Sequence, residues 1–449
     1  MFTGGTAVFV FLVFIFLAIF FNKITRINLG ICGFVAACML GCFFYGMSPS
    51  KVIGLMSTSI FILIFCATTF FGYVAQQNVF EGVVDRILYV NRDHPQMMPF
   101  ILYVAGVVIG CLGAGSHATP LIISPIAFAF ARSIGIHPVM AGLITFLSSY
   151  TAGFMPWNDS MATHIGQLEA VETVYTASSA YASVIPMIIV NTFNMLVILV
   201  VFYFILGCNK KCKKDCEYLQ NLKMPEPFTK DQKTTLIIVV CVIGTIALGS
   251  ILKMLFPKNA VIKFVSRCFD VRFTTLLGAC IMHALKLGTW DATVKKIPWN
   301  TIIMVLGMSA LASLAKEIGV VDTLANLLTS GTLPKGLILP IWVLVAAFLG
   351  IIAGANAVGI PLLLPMIEPL AEATGWSAAA LGGMCIVAVC AVSMSPISTG
   401  GNMALLGGTR EESDRCFNGM FAAVGVSIAL CVIEAIIPIY PWLFSIFVE

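Results

Sequence analysis

Two of this chain's long apolar runs are broken at their centres by proline and polar residues, and that pattern narrows the possible folds more than any other feature. The uninterrupted runs lie at roughly 5–22, 28–46, 55–76, 182–207, 233–256, 271–287, 299–316 and 415–437. Each is close to the ~20 apolar residues that carry a helix across a bilayer. The chain is 59% hydrophobic and only 10% charged, whereas a soluble domain carries about 25% charged residues. So few charges cannot clothe a water-soluble surface, so most of the outside faces lipid, and the expected class is an all-α polytopic membrane protein. The small net charge of +4 sits in loops and speaks for membrane orientation, not for nucleic acid. The 15 cysteines are scattered, many of them within apolar runs, as at Cys32, Cys38, Cys42 and Cys66. They read as small buried hydrophobes and not as a disulfide framework. Cys208, Cys212 and Cys216 cluster in a Lys-rich loop; they either bind metal or carry lipid or, since no histidine completes a metal set, are plain loop cysteines, the reading preferred here. The first apolar run has its positive charges, Lys23 and Arg26, after it. That is the reverse of a signal peptide, so the reading is a retained span with the N-terminus outside.

The interrupted runs are 139–166, which contains Pro156-Trp157-Asn158-Asp159-Ser160, and 378–407, which contains Ser395-Pro396-Ile397-Ser398-Thr399-Gly400-Gly401-Asn402. Proline removes a backbone donor and clashes with the preceding turn, and paired glycines weaken a helix further. Both runs are therefore expected to be helices that unwind within the membrane. Two more stretches, 98–135 and 336–374, have Gly-rich polar centres, Gly113-Ala114-Gly115-Ser116-His117-Ala118-Thr119 and Ala353-Gly354-Ala355-Asn356-Ala357-Val358-Gly359. Each limb is somewhat short for a span, so re-entrant hairpins are expected, with backbone satisfied by protein or a wet cavity.

These breakers recur at an offset of 240: Gly110 with Gly350, Pro125 with Pro365, Gly135 with Gly375, Gly142 with Gly382, and Pro156 with Pro396. Upstream, Gly82-Val83-Val84-Asp85 recurs as Gly319-Val320-Val321-Asp322, at an offset of 237. Recurrence in register implies duplication. The expected division is a first repeat over 1–207, a cytoplasmic linker over 208–232 and a second repeat over 233–449. About ten transmembrane helices result, five per repeat. An odd number forces the repeats into opposite orientations, the pattern of secondary transporters with a site at the repeat interface. Most basic residues, from Lys23 through the 210–214 lysines to Arg410 and Arg415, then fall on the cytoplasmic side, and both termini lie outside. Lys258, Lys263, Arg267 and Arg272 fall on the opposite side.

Unwound helices leave free N–H groups that attract anions and free carbonyls that attract cations. None of the four polar segments contains Lys or Arg. An anion would rest on helix ends, hydroxyls and amides, and a coupling cation would help neutralise it. Asp159 is the one carboxylate at a break, either an ion-coupling group or the cap of the next half-helix. Ser395, Ser398, Thr399 and Asn402 either bind solute or return hydrogen bonds to the broken backbone. His117 is either a carboxylate-binding, pH-responsive group or a neutral wedge. His137 and His164 read as interfacial, and Asn191, Asn194 and Glu434 as path-lining or packing groups. No recognisable nucleophile motif is present, so an enzyme is not expected.

This layout resembles the ion transporter superfamily, most closely the divalent anion:sodium symporter family and its bacterial dicarboxylate-carrier relatives. In that family each hairpin tip carries a Ser-Asn-Thr signature that holds substrate carboxylates and borders a sodium site. Here Ser116, Thr119 and Asn356 are the positions that match. Joined with the residues read above, these positions give a candidate substrate set of Ser116, His117, Thr119, Asn356, Ala357, Ser398 and Thr399, and a candidate cation set of Gly115, Asn158, Asp159, Ser160, Ala355, Ser395, Gly400 and Asn402, with Na+ or H+ as coupling ion and no other cofactor. The resemblance also implies an elevator-type homodimer in a bacterial cytoplasmic membrane, carrying di- or monocarboxylates. A cation/proton antiporter and the permease subunit of a binding-protein-dependent carboxylate uptake system remain open beside it.

Overall fold

The computed structural model describes residues 4–211 (57, 170, 172 and 173 excepted), 223–255, 268–320 (298 excepted), 323, 334–353, 359–396 and 398–448. Every regular element among them is helical. The principal helices are α1 (Gly4–Thr25), α2 (Leu29–Cys38), α3 (Thr58–Val74), α4 (Val79–Val90), α5 (Met98–Ile109), α6 (Gly115–Ile134), α7 (Pro138–Gly153), α8 (Asp159–Glu169), α9 (Val184–Ile205), α10 (Lys230–Leu255), α11 (Val271–Ala284), α12 (Trp299–Glu317), α13 (Lys335–Ala353), α14 (Ile367–Thr374), α15 (Ala378–Ala391), α16 (Thr399–Ala404), α17 (Arg410–Ile436) and α18 (Ile439–Phe447). The segments Gly4–Asn22, Pro95–Ala114, Ser179–Ile205 and Arg410–Ile436 are long and apolar enough to cross a membrane.

The centre of the molecule is built from α7 and α15. Tyr150 is the one α7 residue that is not fully buried, and in α15 only the first two residues are not. A helix apolar on all sides belongs inside a fold. Its small residues permit close approach: a Cβ at Gly382 would collide with the Tyr175 hydroxyl, and one at Gly383 with the Phe444 ring. Around this pair, α9 and α17 each pack against both α7 and α15, while α5 packs on α7 and α13 on α15. At the periphery α2 crosses α12 where Gly30 meets Gly307 backbone to backbone.

Both breaks lie where proline and the polar residues put them. α7 ends at Gly153 and α8 starts at Asp159, while α15 passes through a short 3-10 turn (Val392–Met394) before α16 starts at Thr399. The local structure repeats at the 240-residue spacing. Gly135 (φ 69°) and Gly375 (φ 77°) end α6 and α14 in left-handed caps whose N–H groups reach Ala131 and Ala371. His137 and Ser377 then cap α7 and α15.

Three expectations are corrected. The first limb of the 98–135 stretch is not short. A π-helical turn, Gly110–Ala114, extends it, and Pro95–Ala114 has the length of a span. The Gly-Val-Val-Asp identity does not begin at equivalent structural positions, because Gly82 lies inside α4 whereas Gly319 (φ 73°) follows the end of α12 in a left-handed turn. His164 is not interfacial: at 1% exposure it is buried in the centre. α8 turns inward after the break, packing on α3 and α6.

Candidate functional site

The first tip is shaped by two glycines. Gly113 (φ 106°) and Gly115 (φ 66°) hold backbone that favours glycine, and a Cβ at Gly113 would also collide with the Phe71 ring. The chain reverses here, and α5 and α6 pack on each other and on α7. The first break is tied to this tip by side chains. Trp157 donates its indole N–H to the Cys111 carbonyl at 2.7 Å. The buried Asn158 donates through Nδ2 to the Gly110 carbonyl at 3.0 Å and to the Ala152 carbonyl. These bonds satisfy carbonyls that the broken helix and the π turn would otherwise leave bare. Asn158 Oδ1 is buried with no hydrogen-bond partner.

Ser116, the second residue of α6, and Ser160, the second of α8, meet with their Oγ atoms 2.7 Å apart. Together with Tyr150, Gly153, Phe154, His164 and Cys390 they line a small cavity. His164 Nδ1 lies 3.3 Å from Gln167 Oε1, and its Nε2 lies 3.3 Å from Cys390 Sγ, across to α15. Tyr150 stacks on Phe146 with centroids 4.0 Å apart. A Cβ at Gly400 would press against Phe146 and the Tyr150 hydroxyl, so α16 comes up to the same two rings. Both breaks therefore converge on Tyr150.

In the second break the hydroxyls divide into two roles. Ser398 caps α16: its Oγ accepts from Gly401 N at 3.1 Å and donates to the carbonyls of Ser395, at 2.8 Å, and Ser393. Asn402 Nδ2 donates to the Ser398 carbonyl at 3.0 Å. Thr119 likewise returns its hydroxyl to the Gly115 carbonyl at 2.7 Å. These three side chains stabilise irregular backbone. Ser395 Oγ, in contrast, is buried without a partner. Ser124 on α6 donates to the Ala404 carbonyl at 2.8 Å and accepts from Gly407 N at 2.9 Å, linking the first hairpin to the end of the second break.

Of the sequence-derived set, Ser116, Asn158, Ser160, Gly115 and Thr119 are gathered at the first tip and break, and Ser395, Ser398, Gly400 and Asn402 at the second. The backbones of His117, Asp159 and Thr399 are helical, and their side chains lie outside the described structure. Ala355, Asn356 and Ala357 lie outside the described residues, as do Cys212 and Cys216; Cys208 is buried. Tyr150, His164 and Cys390 were missed from the sequence. The polar residues Ser160, Thr163, His164 and Gln167 recur at the spacing of one helix face, and that stripe was the available signal for His164.

A second cavity, of about 410 Å³, also borders this tip: Phe71, Gly113, Ala114, Gly115 and Met403 line it together with the exposed Glu81 and Lys296.

No curated protein sequence matches the chain. Among solved structures, the crystal structure of the YdaH transporter of Alcanivorax borkumensis is similar in fold. The TM-score is 0.53 at 15% identity, over 87% of this chain and 88% of that one. The model of the citrate transporter family matches residues 14–358 and 260–448. Those matches extend over most of the chain, which is accordingly an integral membrane protein belonging to the citrate transporter family.

Proposed function

We propose that the protein is a secondary carrier that moves small organic polyanions of the citrate and dicarboxylate class across the cytoplasmic membrane, coupled to an inward cation gradient. The observation that carries this reading is the convergence of two broken helices and a hairpin tip on Tyr150, with the Ser116–Ser160 pair between them. The N-terminal ends of α6 and α8 meet at this point, and such ends favour carboxylates. No Lys or Arg lies in the polar segments that form it. An anion held without a fixed positive charge is released more readily, and a co-bound cation supplies the missing charge. The buried unpaired oxygens of Asn158 and Ser395 are hard acceptors suited to that cation.

The repeated caps at the 240-residue spacing support two structural repeats, which we place in opposite orientations with both termini outside. In this arrangement the cavity of about 410 Å³ is the cytoplasmic vestibule. Transport then proceeds by movement of the hairpins and broken helices as one body against the peripheral helices of a homodimer.

The test is uptake into proteoliposomes of labelled citrate, succinate, malate and a monocarboxylate, under an inward sodium gradient, an inward proton gradient and neither. Gradient-dependent uptake of one of these acids is expected. Folded protein that moves none of them under any gradient would sink the proposal and turn attention to cation/proton exchange.

A further inference from the structure

Glu434 lies near the end of α17 and is 4% exposed, covered by α18 and α9. Its carboxylate Oε2 accepts from Asn194 Nδ2 at 3.4 Å and from the Tyr440 hydroxyl at 3.3 Å. Asn194 stands midway along the 22-residue α9, about 15 Å from either end, so the carboxyl of Glu434 meets α9 far from both of its termini. The two residues are 240 positions apart, the offset at which the glycines and prolines recur in the sequence.

Among the described residues, none of the helices packed around this carboxylate supplies a compensating charge. α7, α9, α15 and α18 contain no Asp, Glu, Lys, Arg or His, and α13 has only Lys335, at its outer start. The titratable neighbours are Tyr440 and, one turn back on α17, Cys431. A lone ionised carboxylate in this setting costs several kcal/mol. Two long hydrogen bonds from neutral groups offset only part of that. The polar surroundings are also incomplete: Asn194 Oδ1, Asn191 Oδ1 and Ser427 Oγ are all buried without partners.

We propose that Glu434, with Asn194 and Tyr440, forms a proton-binding site in the membrane interior, separate from the two breaks. Uptake of one proton from water forms one O–H bond at the carboxyl and removes its charge. The Asn194 amide serves both states. Its Nδ2 donates to the carboxylate, and after the amide rotates its unpaired Oδ1 accepts from the protonated acid. One turn earlier on the same face of α9, Asn191 donates to the Tyr150 carbonyl at 3.4 Å. In this proposal the α9 face that carries Asn194 and Asn191 is the route from the proton site to the residue on which both breaks converge. Only this coupling step rests on the proposed carrier function; the proton site does not.

The test is an infrared pH titration of the purified protein in lipid, comparing the wild type with Glu434→Gln and Asn194→Ala. Gln keeps the size of Glu434 and the neutral form of its hydrogen bonding, so that variant is expected to fold. The expected result is a protonated-carboxyl band in the wild type that titrates with pH, is lost in Glu434→Gln and shifts in Asn194→Ala. Identical carboxyl titrations in the wild type and Glu434→Gln would overturn the site. A Glu434 signal that responds to sodium at fixed pH and not to protons would overturn it in favour of a metal-cation site. In proteoliposomes, Glu434→Gln is expected to retain anion exchange and lose its acceleration by a proton gradient. Absence of any anion movement by the wild type would count against the carrier reading and leave the infrared result standing.

Discussion

Ser116 Oγ and Ser160 Oγ lie 2.7 Å apart, joining the start of the second hairpin limb to the start of the second half of a broken helix. Each hydroxyl sits where a helix begins, and each is within reach of an anion resting on those ends. Ser116→Ala and Ser160→Ala should each weaken anion transport roughly tenfold, the loss of a hydrogen bond of about 1.5 kcal/mol. Because the two hydroxyls act as a pair, the double variant should lose little more than either single one. Uptake measured at several substrate concentrations decides this; normal uptake by both single variants would remove the pair from the site.

Asn158 is the bond between break and tip. Its Nδ2 reaches the Gly110 carbonyl at 3.0 Å and also the Ala152 carbonyl. Replacing it by alanine leaves both without that donor in a buried setting, at a cost of about 2 kcal/mol. Asn158→Ala should therefore melt at a lower temperature in detergent and bind a transported anion less tightly. An unchanged melting temperature would mean that water replaces the amide and that the tip is held by Trp157 alone.

At the α2–α12 crossing the backbone of Gly307 lies against that of Gly30, so closely that a Cβ on either would collide with main-chain atoms. Backbone cannot move aside as a side-chain tip can. Gly307→Ala should cost about 1–3 kcal/mol through overpacking. Gly425→Ala is the control, because a Cβ there meets nothing within 4 Å, and that variant should be as stable as the parent or slightly more so. Thermal unfolding of the two side by side checks the assignment; equal melting temperatures would show that the crossing can relax.

The helices and breaks were legible in the sequence because lipid imposes one length on a span and proline one effect on it. Pro156 and Pro396 announced both interruptions, and the recurring pair Gly135 and Gly375 proves to close two helices. The roles of individual polar residues were less legible. Ser398 and Thr119 look like ligands by type, yet both hydroxyls bond local carbonyls, a choice made by rotamer and backbone geometry that composition does not reveal. Cys390 reaches His164 across 226 residues, and the sequence carries no local mark of such a contact. Glu434 was visible as a charge within an apolar run, but its Asn194 partner emerges only when α9 and α17 cross.

Glu169, at the end of α8, is bound by Arg272, at the start of α11, with Nη2 and Oε2 2.8 Å apart; Asp270 caps α11 beside them. Both side chains are half-buried, at 19% and 28% exposure, so this pair is screened less than a fully exposed ion pair. It joins the broken-helix body to a peripheral helix. If these two bodies move relative to each other during transport, the pair must open in every cycle and holds the present arrangement closed. Glu169→Gln keeps the shape and removes the charge. It should destabilise this arrangement by about 1–2 kcal/mol, which shifts a two-state equilibrium roughly 5- to 30-fold. Cysteines placed on α8 and α11 should then crosslink less efficiently in Glu169→Gln than in the parent. Equal crosslinking would show that α8 and α11 belong to one rigid body, and the moving boundary would have to be drawn elsewhere.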